Sequence, residues 1–201
     1  MQASSGQEIA LDPPVRPWLR GRGARDEDAL IRQARSGSAD AVEALVRRHW
    51  DAAHRAAFLI VQDAAAAEDI AQEAMLAAVR AIDRFDRRRP FRPWLHRIVV
   101  NRSLDWVRSR RRHPEVSTEA ADAGALQPPE QVRELSDELM AALSALDADD
   151  RALIVLRHVL GYRASELARM MGLPAATVRT RLARALARLR ALLEHDDREA
   201  P

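Results

Sequence analysis

Residues 173–184, LPAATVRTRLAR, set Arg179, Thr180 and Arg184 on one side of what reads as a helix. An arginine fork can grip guanine through two hydrogen bonds, and threonine can touch a thymine methyl group or a phosphate. The chemistry on offer is base reading in a DNA groove. Thr177 belongs to the same candidate DNA-contacting set, and Arg181 and Arg188 are expected to hold phosphates, which position without reading. A second set differs in character: Asp69, Gln72 and Glu73 stand at i, i+3 and i+4, share one helical face, and can meet a single complementary surface. A third set places Phe85, Phe91 and Trp94 amid Arg84, Arg87, Arg88, Arg89 and Arg92. Aromatic faces beside positive charge suit extruded bases of single-stranded DNA, where stacking contributes ~1–3 kcal/mol per base. For Phe91 and Trp94 the alternative is packing of their own helix, and for Trp94 it carries at least equal weight. Asn101 and Asp105, one turn apart, face DNA or join an internal network; the sequence leaves both open.

Catalytic chemistry finds little support. His49 and His54 in HWDAAH are five apart, not at the i, i+4 metal spacing of a zinc-protease helix. Cysteine is absent, and there is no glycine-rich phosphate loop or nucleophile motif. The expectation is a protein that is not an enzyme, with no cofactor and no metal.

The DNA-reading set needs a scaffold. Counting Ala164 as the first position, Leu167, Ala168, Met171, Gly172, Leu173 and Val178 take places four, five, eight, nine, ten and fifteen. That is the helix-turn-helix pattern, with a small residue where the helices cross and glycine at the tight turn. Pro174 costs nothing at a helix start, where no amide donor is needed. The pattern fails at place eighteen, which is Arg181, with the apolar residue moved to Leu182.

Upstream, Leu30, Ile31 and Ala34 open a helical pattern, and Asp40 can cap a second helix reaching about Val61. Asp63 precedes an alanine-rich third helix with Ile70, Ala74, Ala77, Ala78 and Ala81 on one stripe, and Trp94 begins a fourth. The expected fold is all-α: two small helical domains, 26–113 and 131–193, joined by a flexible acidic linker at 114–130. Residues 1–25 and 194–201 read as tails.

All 32 basic side chains are arginine, and the formal net charge of +2 hides strong segregation. Residues 80–113 hold 12 arginines against 3 acids, residues 115–150 hold 10 acids against 1 arginine, and residues 151–193 hold 9 arginines against 1 glutamate. Two basic blocks around an acidic one suggest two nucleic-acid contacts on one chain. No apolar run approaches the ~18 residues of a membrane span, and the N-terminus lacks a signal-peptide core. The expected location is cytoplasmic, with no membrane insertion.

In combination, AEDIAQE, PFRPWLHRIVVNRSLDWVR and GYRASELARMMGLPAATVRTRLARA make the chain resemble a bacterial sigma factor of the extracytoplasmic-function type, within the sigma-70 family. The resemblance covers 26–113 and 131–193. It implies that the first domain is a region 2, docking on core RNA polymerase and recognising and melting the −10 promoter element. Arg87, Arg88, Arg89, Phe91, Arg92 and Asn101 would be the DNA contacts there. Asp69, Gln72 and Glu73 match the polymerase-docking motif. The second domain resembles region 4, whose second helix reads the double-stranded −35 element, here through Arg179, Thr180 and Arg184. An anti-sigma factor is a further implied partner. Ala176 stands in the turn where the family often has glycine before the threonine. Two alternatives compete: a stand-alone helix-turn-helix regulator, for which no dimerisation helix is evident, and a helical protein-interaction adaptor.

Overall fold

The structure is a computed structural model that describes residues 22–112, 127–133 and 135–199. The first unit comprises α1 (Arg22–Arg35), α2 (Ala39–Val61), α3 (Ala64–Arg80), a 3-10 turn at Ile82–Arg84, and α4 (Phe91–Arg112). The second begins with a 3-10 turn at Glu130–Val132 and continues through α5 (Asp137–Ser144), α6 (Ala148–Ile154), a π-helical turn at Val155–Val159, α7 (Ala164–Met171) and α8 (Ala175–Glu199). No strand occurs among the described residues, so the architecture is all-α as expected.

Local chemistry sets the boundaries. Ser38, not Asp40, caps α2, accepting from the Ala41 amide. Asp40 falls in the first turn instead, where its charge complements the helix dipole. Gln62 takes the left-handed conformation at φ 58° and closes α2. Asp63 then caps α3 from its Oδ1, 2.9 Å from the Ala66 amide. Two residues thus turn the chain between the long helices. The fourth helix starts at Phe91 rather than Trp94, because Pro93 lies in the first turn and needs no amide there. At the other end α8 runs on to Glu199, past the expected stop at 193, since residues 194–199 hold neither glycine nor proline to break it. Most of the expected tail at 1–25 and linker at 114–130 lies outside the described residues.

Alanine makes the first unit compact. Ala53, Ala56 and Ala57 on α2 and Ala67, Ala71 and Ala74 on α3 are fully buried, so the two helices pack closely. Leu59, Ile60, Leu95 and Val99 fill the rest of that core, and Leu153, Leu156, Leu167 and Val178 form its counterpart in the second unit.

The two units also pack on each other, α2 and α4 against α6, the π turn and α7. Gln62 Nε2 donates to the Met140 carbonyl at 3.0 Å, and Arg151 Nη1 donates to Gln62 Oε1 at 2.9 Å. Deeper in, the Tyr162 hydroxyl and His96 Nδ1 share a hydrogen bond of 2.7 Å. These groups are polar and far apart in sequence, and helical periodicity does not report them.

His96 is wholly buried, which pushes its pKa well below 6.5, with Arg92 and His49 adding to the effect. His54, half-buried, is shifted down too, chiefly by burial. The unfolded chain takes up protons at these histidines near 6.5, while the folded chain does so only at lower pH. Stability is therefore full above about pH 6.5 and falls as the pH drops below it. Urea unfolding at about pH 7.5 and about pH 5.5 should show a lower midpoint in acid; an unchanged midpoint would contradict the burial of these rings.

Candidate nucleic-acid and protein interfaces

Helices α7 and α8 form the helix-turn-helix. The Glu166 side chain reaches back to accept from the Arg163 amide at 2.7 Å, pairing a free donor at the start of α7. Gly172, at φ 66°, makes the turn, and the Leu173 amide donates to the Ala168 carbonyl at 3.0 Å. On α8, Val178, Leu182, Ala185 and Leu189 are buried. Ala176, Thr177, Arg179, Thr180, Ala183 and Arg184 are exposed on the opposite side. The Thr180 hydroxyl donates to the Ala176 carbonyl of its own helix at 3.1 Å.

Arg181 departs from its expected phosphate role. Its Nε and Nη2 reach Asp150 Oδ1 of α6 at 2.9 and 2.7 Å, and the two side chains are only 25% and 24% exposed. The broken place in the motif is thereby explained: an inward arginine replaces the usual apolar residue because an acid waits for it.

The aromatic set is corrected more strongly. Phe85 and Phe91 are 5% and 4% exposed, so neither offers a face to bases. They pack edge to face at 5.5 Å, and Trp94 closes the cluster at 4.9 Å from Phe85 and 5.4 Å from Phe91. Burying this apolar surface fastens the loop to α4. Trp94 itself is half-buried. Arg87, Arg88 and Arg89 are exposed on the loop, as is Asn101 on α4. Arg92 is half-buried at the seam, its guanidinium 5.9 Å from the centre of the Tyr162 ring. Asp105 is exposed and pairs with Arg108 at 3.4 Å. His49 is buried beside Glu27, 2.9 Å from its Oε1.

On α3, Asp69, Gln72 and Glu73 are all exposed, and the structure brings them together on one face. Gln72 donates to Glu68 at 3.1 Å, and Glu73 is paired with Arg102 of α4. Asp69 and Glu73 edge a groove of about 420 Å³ between α3 and α4, with Ile70 and Trp106 also lining it. Sequence reasoning missed Leu76, 53% exposed and the one large apolar side chain so open among the described residues. Its signal was available: it falls off the Ile70–Ala74 stripe and one turn beyond Gln72.

The comparisons with known proteins agree with this architecture. Residues 45–113 match the family model described as Sigma-70 region 2, and residues 136–189 match Sigma-70, region 4. The ECF RNA polymerase sigma factor SigM of Mycobacterium tuberculosis is 37% identical over 177 residues, covering 86% of this chain and 87% of that protein. RNA polymerase sigma factor CnrH of Cupriavidus metallidurans is 35% identical over 185 residues, covering 85% and 97%. The solved structure of CnrH in complex with the cytosolic domain of CnrY superposes with a TM-score of 0.65 at 35% identity, covering 85% of this chain and 98% of that one. The fold of RpoE from Bartonella quintana, solved with the anti-sigma factor NepR, is also similar, with a TM-score of 0.62 at 24% identity, covering 76% and 96%.

The chain belongs to the sigma-70 family of RNA polymerase sigma factors, in its extracytoplasmic-function branch. It directs RNA polymerase to promoters at initiation. The relatives are sigma factors, which are not enzymes. No helix among the described residues is long and apolar enough to cross a membrane.

Proposed function

We propose that residues 26–113 dock on core RNA polymerase and melt the −10 element, and that residues 131–193 read the −35 element as duplex. The observation that carries this reading is α8, whose Val178 and Leu182 are buried while Arg179, Thr180 and Arg184 point away from the core together. A helix seated in this way lies in the major groove with its outer side chains at the base edges. Thr177 at the helix start, with the exposed Arg188 further along, positions the backbone.

Docking rests on Asp69, Gln72 and Glu73 with Leu76 added. Acidic and amide groups around one apolar anchor suit a helical partner bearing basic residues. At the −10 element, the reading keeps Arg87, Arg88, Arg89 and Asn101, with Trp94 as the aromatic surface, and drops the buried Phe91. An anti-sigma factor is a further partner in this reading, as RpoE of Bartonella quintana was solved with the anti-sigma factor NepR. The chain acts in the cytoplasm and carries no catalytic step of its own.

Run-off transcription with purified core polymerase tests the reading. Promoter-specific transcripts should require this chain, and the chain alone should bind promoter duplex weakly and lose affinity steeply with salt, because phosphate contacts release counterions. Nanomolar sequence-specific binding without polymerase at physiological salt would favour a stand-alone regulator.

A further inference from the structure

A cavity of about 330 Å³ opens where the Gln62–Asp63 corner, the end of α4 and α6 come together, at the seam between the two units. Three arginines line it, Arg110 and Arg111 from α4 and Arg151 from α6, against a single carboxylate, Asp63. That carboxylate is already engaged. Its Oδ1 takes the Ala66 amide and its Oδ2 takes Arg110 at 2.9 Å. Arg110 also lies over the Trp106 ring, 4.9 Å from its centre.

Arg151 is the unusual member. It is only 6% exposed, yet its donors meet neutral acceptors: Nη1 the Gln62 side-chain oxygen at 2.9 Å, and Nη2 the Leu146 carbonyl at 3.3 Å. Its Nε is buried with no partner. Burial lowers the Arg151 pKa, Arg111 acts in the same direction, and Asp147 opposes them. A buried guanidinium without a carboxylate is costly, and such charges are usually paired. The exposed Arg111 stands at the same cavity and adds positive charge to it. Nothing in promoter reading or polymerase docking uses this arrangement.

We propose that this seam cavity binds a phosphate-bearing anion, held by Arg110 and Arg111 from the first unit and Arg151 from the second. A phosphate offers several acceptor oxygens and a negative charge in a geometry that matches the planar guanidinium fork. The cavity is at the small end of the roughly 300–1,000 Å³ range of ligand pockets, which suits a diphosphate better than a bulky ligand. Because its arginines come from both units, a bound anion ties them together and stabilises the closed packing by mass action.

Isothermal titration calorimetry of the full chain with sodium pyrophosphate, at fixed ionic strength balanced by chloride, tests the proposal. The expected result is saturable binding at one site with a rise in Tm. Arg111→Gln, at an exposed position, should weaken binding roughly tenfold or more, while Arg80→Gln, with the same loss of charge elsewhere, should leave it unchanged. Arg151→Gln should abolish it, and if that variant does not fold, Arg111→Gln decides. A non-promoter duplex added as competitor separates the sources of phosphate. Displacement of pyrophosphate identifies the DNA backbone as the occupant, and no displacement identifies a free phosphorylated small molecule. No saturable heat, or equal losses in Arg80→Gln and Arg111→Gln, overturns the site.

Discussion

Asp69→Arg combined with Glu73→Arg should abolish promoter-dependent transcription while leaving the chain folded. Both side chains are exposed on α3, so neither supports the core. Glu73 does have a partner, but its ion pair with Arg102 lies at the surface, the side chains 61% and 39% exposed, and pairs of that kind contribute at most about 1 kcal/mol. Against a basic polymerase surface the double reversal has a different scale, since like charges brought together in an interface cost several kcal/mol. Leu76→Ala should weaken the same contact without reversing anything, because it removes the apolar anchor alone. Circular dichroism and co-purification with core polymerase separate the outcomes. A folded double variant that still assembles and initiates would sink the docking assignment, whereas loss of helicity would show that the stripe is structural.

What the sequence made legible was whatever depends on one helix and its period. The cap at Asp63, the turn at Gly172, and the inward Val178 and Leu182 all follow from neighbours within a few residues. The exposed faces of α3 and α8 followed as the complements of those buried ones. Groups whose partners come from another helix were not legible. Phe85 and Phe91 sit in a stretch so rich in arginine that they read as a nucleic-acid surface, yet apolar area decided their place against Trp94. The seam was equally hidden, because His96 and Tyr162 are 66 residues apart and neither belongs to a motif that names the other. Asp150 looked like one more acid in an acidic block, and only the structure turns it toward Arg181.

That pairing sharpens the last expectation, which separates three arginines that the sequence placed within six residues of one another. Arg179→Ala with Arg184→Ala should lower upstream promoter recognition by on the order of 2–6 kcal/mol in total, about 1–3 kcal/mol for each arginine that no longer grips a base through two hydrogen bonds. Melting temperature should hold, since both side chains are exposed. Arg181→Ala should do the opposite. It leaves Asp150, only 24% exposed, without its counter-ion, which costs about 1–3 kcal/mol of stability. Its effect on promoter choice should be no larger than that loss of folded protein explains. Asp150→Ala should destabilise similarly, and the double variant should cost less than the two changes summed, because touching residues couple. Thermal melts alongside binding of polymerase holoenzyme to templates with altered −35 sequences give both readouts. If Arg181→Ala left stability intact and weakened binding evenly across templates, the arginine would be a phosphate contact after all, and its bridge to Asp150 would be one that DNA displaces.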